Sequence, residues 1–223
     1  MSSNRRETVV REPSVIVDPD EKARAEARNG LRQFDLAIQI ALEAIERGEF
    51  RLRPSTLQRL QGIALEGLTS YAGVYRPGPV EIGQSKHVPP PSHLVSELVE
   101  SMCDYINDRW RSATALHLAS YIMWRLNWIH PFADGNGRTS RIAAFLILSV
   151  RAGFVPPGRN TIPAQIERNR KPYFDALEAA DAAFDEGRTD VSAMEELLGR
   201  LLADQLASFF ESAGGRLPES FVQ

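Results

Sequence analysis

Residues 130–141 read HPFADGNGRTSR. A histidine, an acid, two glycines and two arginines crowd into twelve residues between two apolar runs. The first, ATALHLASYIMWRLNWI, ends at Ile129; the second, RIAAFLILSV, begins at Arg141. Residues 112–129 are nearly hydrophobic all round, the composition of a helix packed on every side. The second run has the same character and is closed by Gly153. Two buried helices joined by a short polar loop predict an all-α domain with this loop at its centre.

The loop's residue types suit the handling of a polyphosphate. A helix opening after Gly135 presents unpaired backbone N–H groups and a partial positive charge, which favour an anion. Gly135 and Gly137 let the backbone approach closely, and Asn136 between them adds an amide donor. Arg138 and Arg141, three apart, lie on neighbouring sides of the first turn and can fork onto phosphate oxygens. Asp134 alone would repel such a ligand, but Mg²⁺ characteristically joins one or two carboxylates to phosphates. His130 titrates near neutrality and suits removal of a proton from an incoming hydroxyl. Phe132 is expected to anchor the loop in the core. Singly, each feature reads as a cap, a turn or a surface ion pair; jointly, in this order, they read as chemistry.

Outward from the loop the pattern stays helical. Residues from Pro19 to Gly48 have an acid-rich start and a glycine stop. A second helix is expected from Pro54-Ser55 to Gly73, with Ser55 as its cap. VYRPGPVEIGQSKHVPPP (74–91) breaks the rhythm, and Val80-Glu81-Ile82 alternates like a short strand before the turn at Gly83. Ser92 is expected to cap a further helix. Two amphipathic helices are expected over 163–184 and 189–212. Residues 1–20 read as a mobile or extended arm, 21–212 as one domain with flanking helices, and 213–223 as a tail.

Composition narrows the partners. The net charge of −3 gives no reason to expect nucleic acid, and the longest apolar run, Ile142–Val150, is too short to span a membrane. A single cysteine, Cys103, excludes an intrachain disulfide and sits in a helical pattern as a buried thiol. The start, MSSNRRETVVREPS, has no apolar signal region, so a cytoplasmic location is expected, with export as an effector left open. His87 and His93 lack neighbouring cysteines and do not read as a zinc site. His117 reads as a satisfied core residue.

HPFADGNGRTSR matches throughout the signature of Fic proteins, His-x-Phe-x-Asp/Glu-Gly-Asn-Gly-Arg-x-x-Arg. VYRPGPVEIGQSKHVPPP resembles that family's flap hairpin, ATALHLASYIMWRLNWIHPF its central helix, and RNRKPYFDALEAA the helix that follows. The resemblance spans about residues 55–185, with the N-terminal helix included. It implies an all-α Fic fold with a short β-hairpin flap, and transfer of AMP from ATP, with Mg²⁺, to a Ser, Thr or Tyr hydroxyl of a target protein. His130 would then be the general base and Asp134 the metal ligand. Gly135, Asn136 and Gly137 would form the anion hole, and Arg138 and Arg141 would contact phosphates, Arg141 at the γ position. Val80, Glu81, Ile82, Gly83, Gln84, Ser85 and Lys86 would form the flap that docks the target by strand addition. Asn169 and Tyr173 would line the adenine side, with Tyr173 equally readable as core. Relatives acting as kinases carry Lys at the place of Gly137, so Gly137 favours nucleotidyl over phosphoryl transfer.

Many Fic proteins also carry an inhibitory Ser/Thr-x-x-x-Glu-Gly/Asn helix whose Glu pairs with the second arginine. The nearest match here is Gly62-Ile-Ala-Leu-Glu66-Gly67, in an ordinary core helix. The chain is therefore expected to lack a brake of its own and to rely on a separate antitoxin chain or on no inhibition. Transfer of UMP, removal of AMP, and a nucleotide-binding toxin–antitoxin module share the same residues and stay open at this stage.

Overall fold

The structure, a computed structural model, describes residues 8–9, 15–16, 18–83, 85 and 87–215. Expectations for Gln84, Lys86, most of the N-terminal arm and residues 216–223 lie outside the described residues. Eight α-helices carry the fold among the residues described. Two of them form its axis: α4 (Ala115–Ile129) and α5 (Asn136–Ala152), joined by the dodecapeptide loop. Leu118, Ile122, Met123, Leu126 and Ile129 of α4 have no solvent exposure, and burying each such side chain contributes about 1.5–3 kcal/mol.

On one side, α4 packs against α3 (Val95–Asp108), α7 (Lys171–Asp185) and α8 (Ser192–Ser212). On the other, α5 meets α1 (Pro19–Arg47) and α2 (Pro54–Leu65) through Leu36, Ala37, Ala41, Leu60, Ile142, Phe145 and Leu146. Alanines on α1 let the helices approach, and Phe34 stacks obliquely on Phe145 with centroids 5.2 Å apart. α1 starts at Pro19 and is closed by Gly48 (φ +66°) as expected, and the Asp18 carboxylate caps it by accepting from the Asp20 N–H at 2.9 Å. No helix among the described residues is long and apolar enough to cross a membrane.

Four helix expectations need correction. α2 stops at Leu65, not Gly73, because the chain folds back against it: a Cβ on Gly62 would stand 3.2 Å from Gly73 Cα. The Gln61 amide fastens that return by accepting from the Gly73 N–H. Ser55 is not a cap; Pro54 opens the helix, where its missing N–H costs nothing. Ser92 lies in a 3-10 turn (Ser92–Leu94) and gives its hydroxyl to the Pro77 carbonyl rather than to a helix end. The single helix expected over 163–184 is two, α6 (Ile162–Arg168) and α7, separated at Asn169 (φ −141°, ψ 92°). Pro172 in the first turn of α7 has no N–H to continue the earlier ladder.

The one sheet among the described residues is a two-stranded antiparallel pair. β2 is Glu81–Ile82, the strand expected in the flap. Its partner β1 is Thr8–Val9, with Thr8 opposite Ile82 and Val9 opposite Glu81. Cys103 is buried as expected, and burial, reinforced by Asp104 and Glu100, pushes its thiol up to about 12. His117 is satisfied between the Tyr105 hydroxyl at 3.0 Å and Glu195 at 2.8 Å.

Candidate active site

The site is built on the C-terminus of α4 and the N-terminus of α5. His130 ends α4 in the left-handed region, φ 51° and ψ 56°, the one non-glycine residue with positive φ among those described. Its N–H closes the last turn onto the Leu126 carbonyl at 2.9 Å. Its Nδ1 lies 3.2 Å from the Asn127 carbonyl, which can only accept, so Nδ1 carries the proton and Nε2 the lone pair. The ring is 5 % exposed. Burial lowers its pKa to about 4, with Arg76 and His87 adding to the effect and the Asn127 carbonyl opposing it. At neutral pH the imidazole is uncharged and basic at Nε2.

A helix C-terminus leaves carbonyls without helical partners, and here side chains take them. Nε2 of His87 donates to the Trp128 carbonyl at 2.7 Å, and Nε of Arg76 donates to the His130 carbonyl at 2.8 Å. Arg76 also gives its own N–H to Pro131 and its guanidinium to the Gly78 and Pro90 carbonyls. That buried arginine therefore ties both legs of the flap to the residue after α4.

Beyond Pro131, Phe132 is fully buried as expected. The Asn136 side chain accepts from the Phe132 N–H at 2.9 Å and donates to its carbonyl at 2.8 Å. The Asn136 amide thus holds the loop at Phe132. Gly135 has φ +79°, and a Cβ there would stand 2.5 Å from Leu65 Cδ2. Its N–H donates to Asp134 Oδ1, while Asp134 Oδ2 meets Arg138 at 3.4 Å. Gln61 of α2 donates to the Asp134 carbonyl at 3.1 Å. Gly137 leaves room for Arg141, whose Nη1 would lie 3.3 Å from a Cβ at that position.

Arg141 is 13 % exposed and pairs with Glu167 of α6 at 3.2 Å. Burial lowers its pKa, but a guanidinium stays charged in a protein. The fold thus gathers His130, Asp134, Arg138 and Arg141 around the opening turn of α5. Tyr173 belongs to the core, its hydroxyl accepting from Asn127 Nδ2 at 2.8 Å. Asn169 is exposed at the end of α6. The flap strand stands at the edge, with Glu81 exposed and Ile82 half-buried.

Residues 51–148, which contain the flap, α4 and the whole loop, match the family described as Fic/DOC. The chain carries a Fic domain. Within it, 112 residues are 36% identical to the protein adenylyltransferase Fic of Drosophila willistoni, covering 49% of this chain and 20% of that one. A stretch of 86 residues is 37% identical to protein adenylyltransferase fic-1 of Caenorhabditis briggsae, covering 38% and 16%. The chain therefore spans about a fifth of the length of the curated relatives it matches. The fold is also that of a Fic family protein from Desulfovibrio desulfuricans, at TM-score 0.65 and 23% identity over 92% of this chain and 57% of that one.

In this Fic domain the glutamate of the nearest inhibitory match, Glu66, pairs with Arg32 of α1 at 2.5 Å. The acid that meets the second signature arginine is Glu167. Four residues of the site escaped the sequence reading: Gln61, Arg76, Asn127 and Glu167. Asn127 was detectable as the lone amide in an apolar run three residues before His130. Arg76 was detectable as an arginine amid Pro and Gly. Gln61 and Glu167 carry no comparable signal, because their roles arise from distant segments meeting.

Proposed function

We propose that this protein transfers AMP from ATP to a hydroxyl of a target protein. The observation that carries the reading is His130. Its proton is committed to Nδ1, its Nε2 is basic at neutral pH, and it adjoins a glycine-rich helix N-terminus with two arginines. Nε2 takes the hydroxyl proton as the oxygen bonds to the α-phosphorus and pyrophosphate leaves, so His130 ends as the imidazolium and later returns the proton to water. The N–H groups opening α5, with Arg138 and Arg141, balance the charge on the phosphate oxygens. The names of the relatives support adenylyl transfer over other nucleotidyl transfers.

Mg²⁺ fits the donor set. Asp134 is a half-exposed carboxylate beside the anion-binding turn, already held by one N–H and one arginine. Mg²⁺ characteristically joins one or two carboxylates to phosphates and water. Asp134 would hold it, and the bound ion would supply charge neutralisation at the phosphates. The flap strand would align the target backbone by strand addition.

The test uses ATP labelled at the α- or the γ-phosphate, Mg²⁺ and a cell lysate, with the natural chain and His130→Ala. Protein-bound α label that disappears in the variant is expected. Bound γ label alone would show a kinase and overturn the reading, and α-labelled UTP in place of ATP reports nucleotide choice.

A further inference from the structure

The flap strand that the proposed function assigns to target docking is already paired. β1 lies on β2 antiparallel, with Thr8 opposite Ile82 and Val9 opposite Glu81. From this pairing we infer that the chain's own N-terminal segment occupies the target-docking edge, and that a target strand must displace Thr8–Val9 to reach His130. The inference rests on the proposed reading of the flap as the docking edge.

Three features make this edge a place for an extended backbone. First, a strand edge presents unpaired N–H and C=O groups and recruits another chain unless covered. Second, Arg76 fixes the edge relative to the base, because one guanidinium holds Gly78 and Pro90 on the two legs of the flap and the carbonyl of His130. Whatever backbone pairs with Glu81–Ile82 is therefore carried on legs tied to the main chain of His130. Third, the occupant is tethered: nine residues separate Val9 from Pro19, where α1 starts. A tether of that length gives an effective concentration on the order of millimolar.

The occupant is also easy to remove. A ladder of two residues is marginal by itself, so the tether rather than the ladder keeps it in place. This is a brake by competition for the peptide edge. It is a brake within the chain, against the expectation of none drawn from the sequence, and it differs in kind from a carboxylate brake because it leaves the nucleotide site untouched.

The experiment compares the natural full-length chain with Val9→Pro, which removes a backbone donor from β1, and with a chain lacking residues 1–12, which keeps Asp18 and all of α1. Hydrogen–deuterium exchange of the peptide spanning 79–87 should be faster in both variants. A fluorescent peptide of residues 1–14 should bind Val9→Pro at least about ten-fold more tightly than the natural chain, whose edge is filled in cis. Neither measurement requires ATP or catalysis. Unchanged flap exchange in both variants, or equal peptide binding by Val9→Pro and the natural chain, would overturn the inference. With α-labelled ATP and lysate, Val9→Pro should label proteins several-fold faster at unchanged ATP affinity. Absence of label from every chain would sink the proposed function instead, while the exchange and peptide results still decide the strand pairing. Faster flap exchange with unchanged labelling would show that targets dock elsewhere, which also overturns the inference.

Discussion

Arg76 Nε donates to the carbonyl oxygen of His130 at 2.8 Å, across fifty-four residues of sequence. The same side chain is 3 % exposed and reaches the flap at Gly78 and Pro90. Three carbonyls would lose a charged donor on its removal, each such bond contributing about 1.5–3 kcal/mol. The prediction is that Arg76→Met lowers the melting temperature, and that Arg76→Lys, which keeps the charge but not the fork, folds with kcat reduced about ten-fold. Nucleotide affinity in Arg76→Lys should be unchanged, since Arg76 stands under the flap rather than at the opening turn of α5. Titration calorimetry with ATP and an α-label assay check both halves; lost ATP binding with normal kcat would refute the positioning role.

The pH dependence follows from His130. As the proposed base it must be unprotonated, and burial holds its pKa at about 4. The rate should therefore be flat through pH 6.5 and fall only toward pH 4, instead of halving near the ordinary histidine value. Stability runs the same way. The unfolded chain binds the proton near pH 6.5 and the folded chain near 4, so this contribution is fully present above 6.5 and is lost as pH falls through 4. His130→Gln should flatten that slope, by an amount on the order of 3 kcal/mol between pH 7 and pH 4. Denaturant melts at both pH values measure it; an inflection in rate near 6.5 would mean that the ring is hydrated in solution.

The helical architecture was legible because it is written in local signals. Apolar runs on both sides of HPFADGNGRTSR, the acid-rich start and Gly48 stop of α1, and the alternation at Val80–Ile82 all reappear in the structure. What local signals miss is the meeting of distant segments. The pattern over 54–73 continues as a helix past Leu65, whereas the chain turns at Glu66 and Gly67 (φ +71°) and brings Gly73 back against Gly62. The bracing of the loop by the Asn136 amide across Phe132 has no signal in the sequence either. Arg76 to His130, Gln61 to Asp134 and Glu167 to Arg141 are all tertiary contacts. No periodicity encodes them.

Gly135 is constrained twice. Its φ of +79° is unfavourable for any side chain, and a Cβ would press on Leu65 Cδ2 at 2.5 Å. Gly135→Ala should cost about 1–3 kcal/mol from the backbone alone, with a further overpacking cost of about 1–3 kcal/mol. Adding Leu65→Ala should recover the overpacking part, giving a double variant less destabilised than the sum of the singles. A double-mutant cycle by urea denaturation tests this. Strict additivity would show that Leu65 and residue 135 do not touch.

The last prediction concerns Glu167. Its carboxylate faces Arg141 at 3.2 Å and also pairs with Arg170, while Arg141 itself is 13 % exposed. A polyphosphate approaching the opening turn of α5 competes with that carboxylate for the guanidinium. Glu167→Gln keeps the shape and removes one negative charge, which should tighten ATP binding by about two- to five-fold, the scale of one partly solvated ion pair. Glu167→Ala should tighten it similarly if charge is the cause, whereas Arg141→Ala should weaken it at least about ten-fold. Calorimetric ATP titrations at two salt concentrations separate the alternatives. A gain that shrinks at high salt marks competition between carboxylate and phosphate. Weaker binding in Glu167→Gln would instead make Glu167 the residue that aims Arg141, since a guanidinium released from its partner would then lose its orientation toward the phosphates.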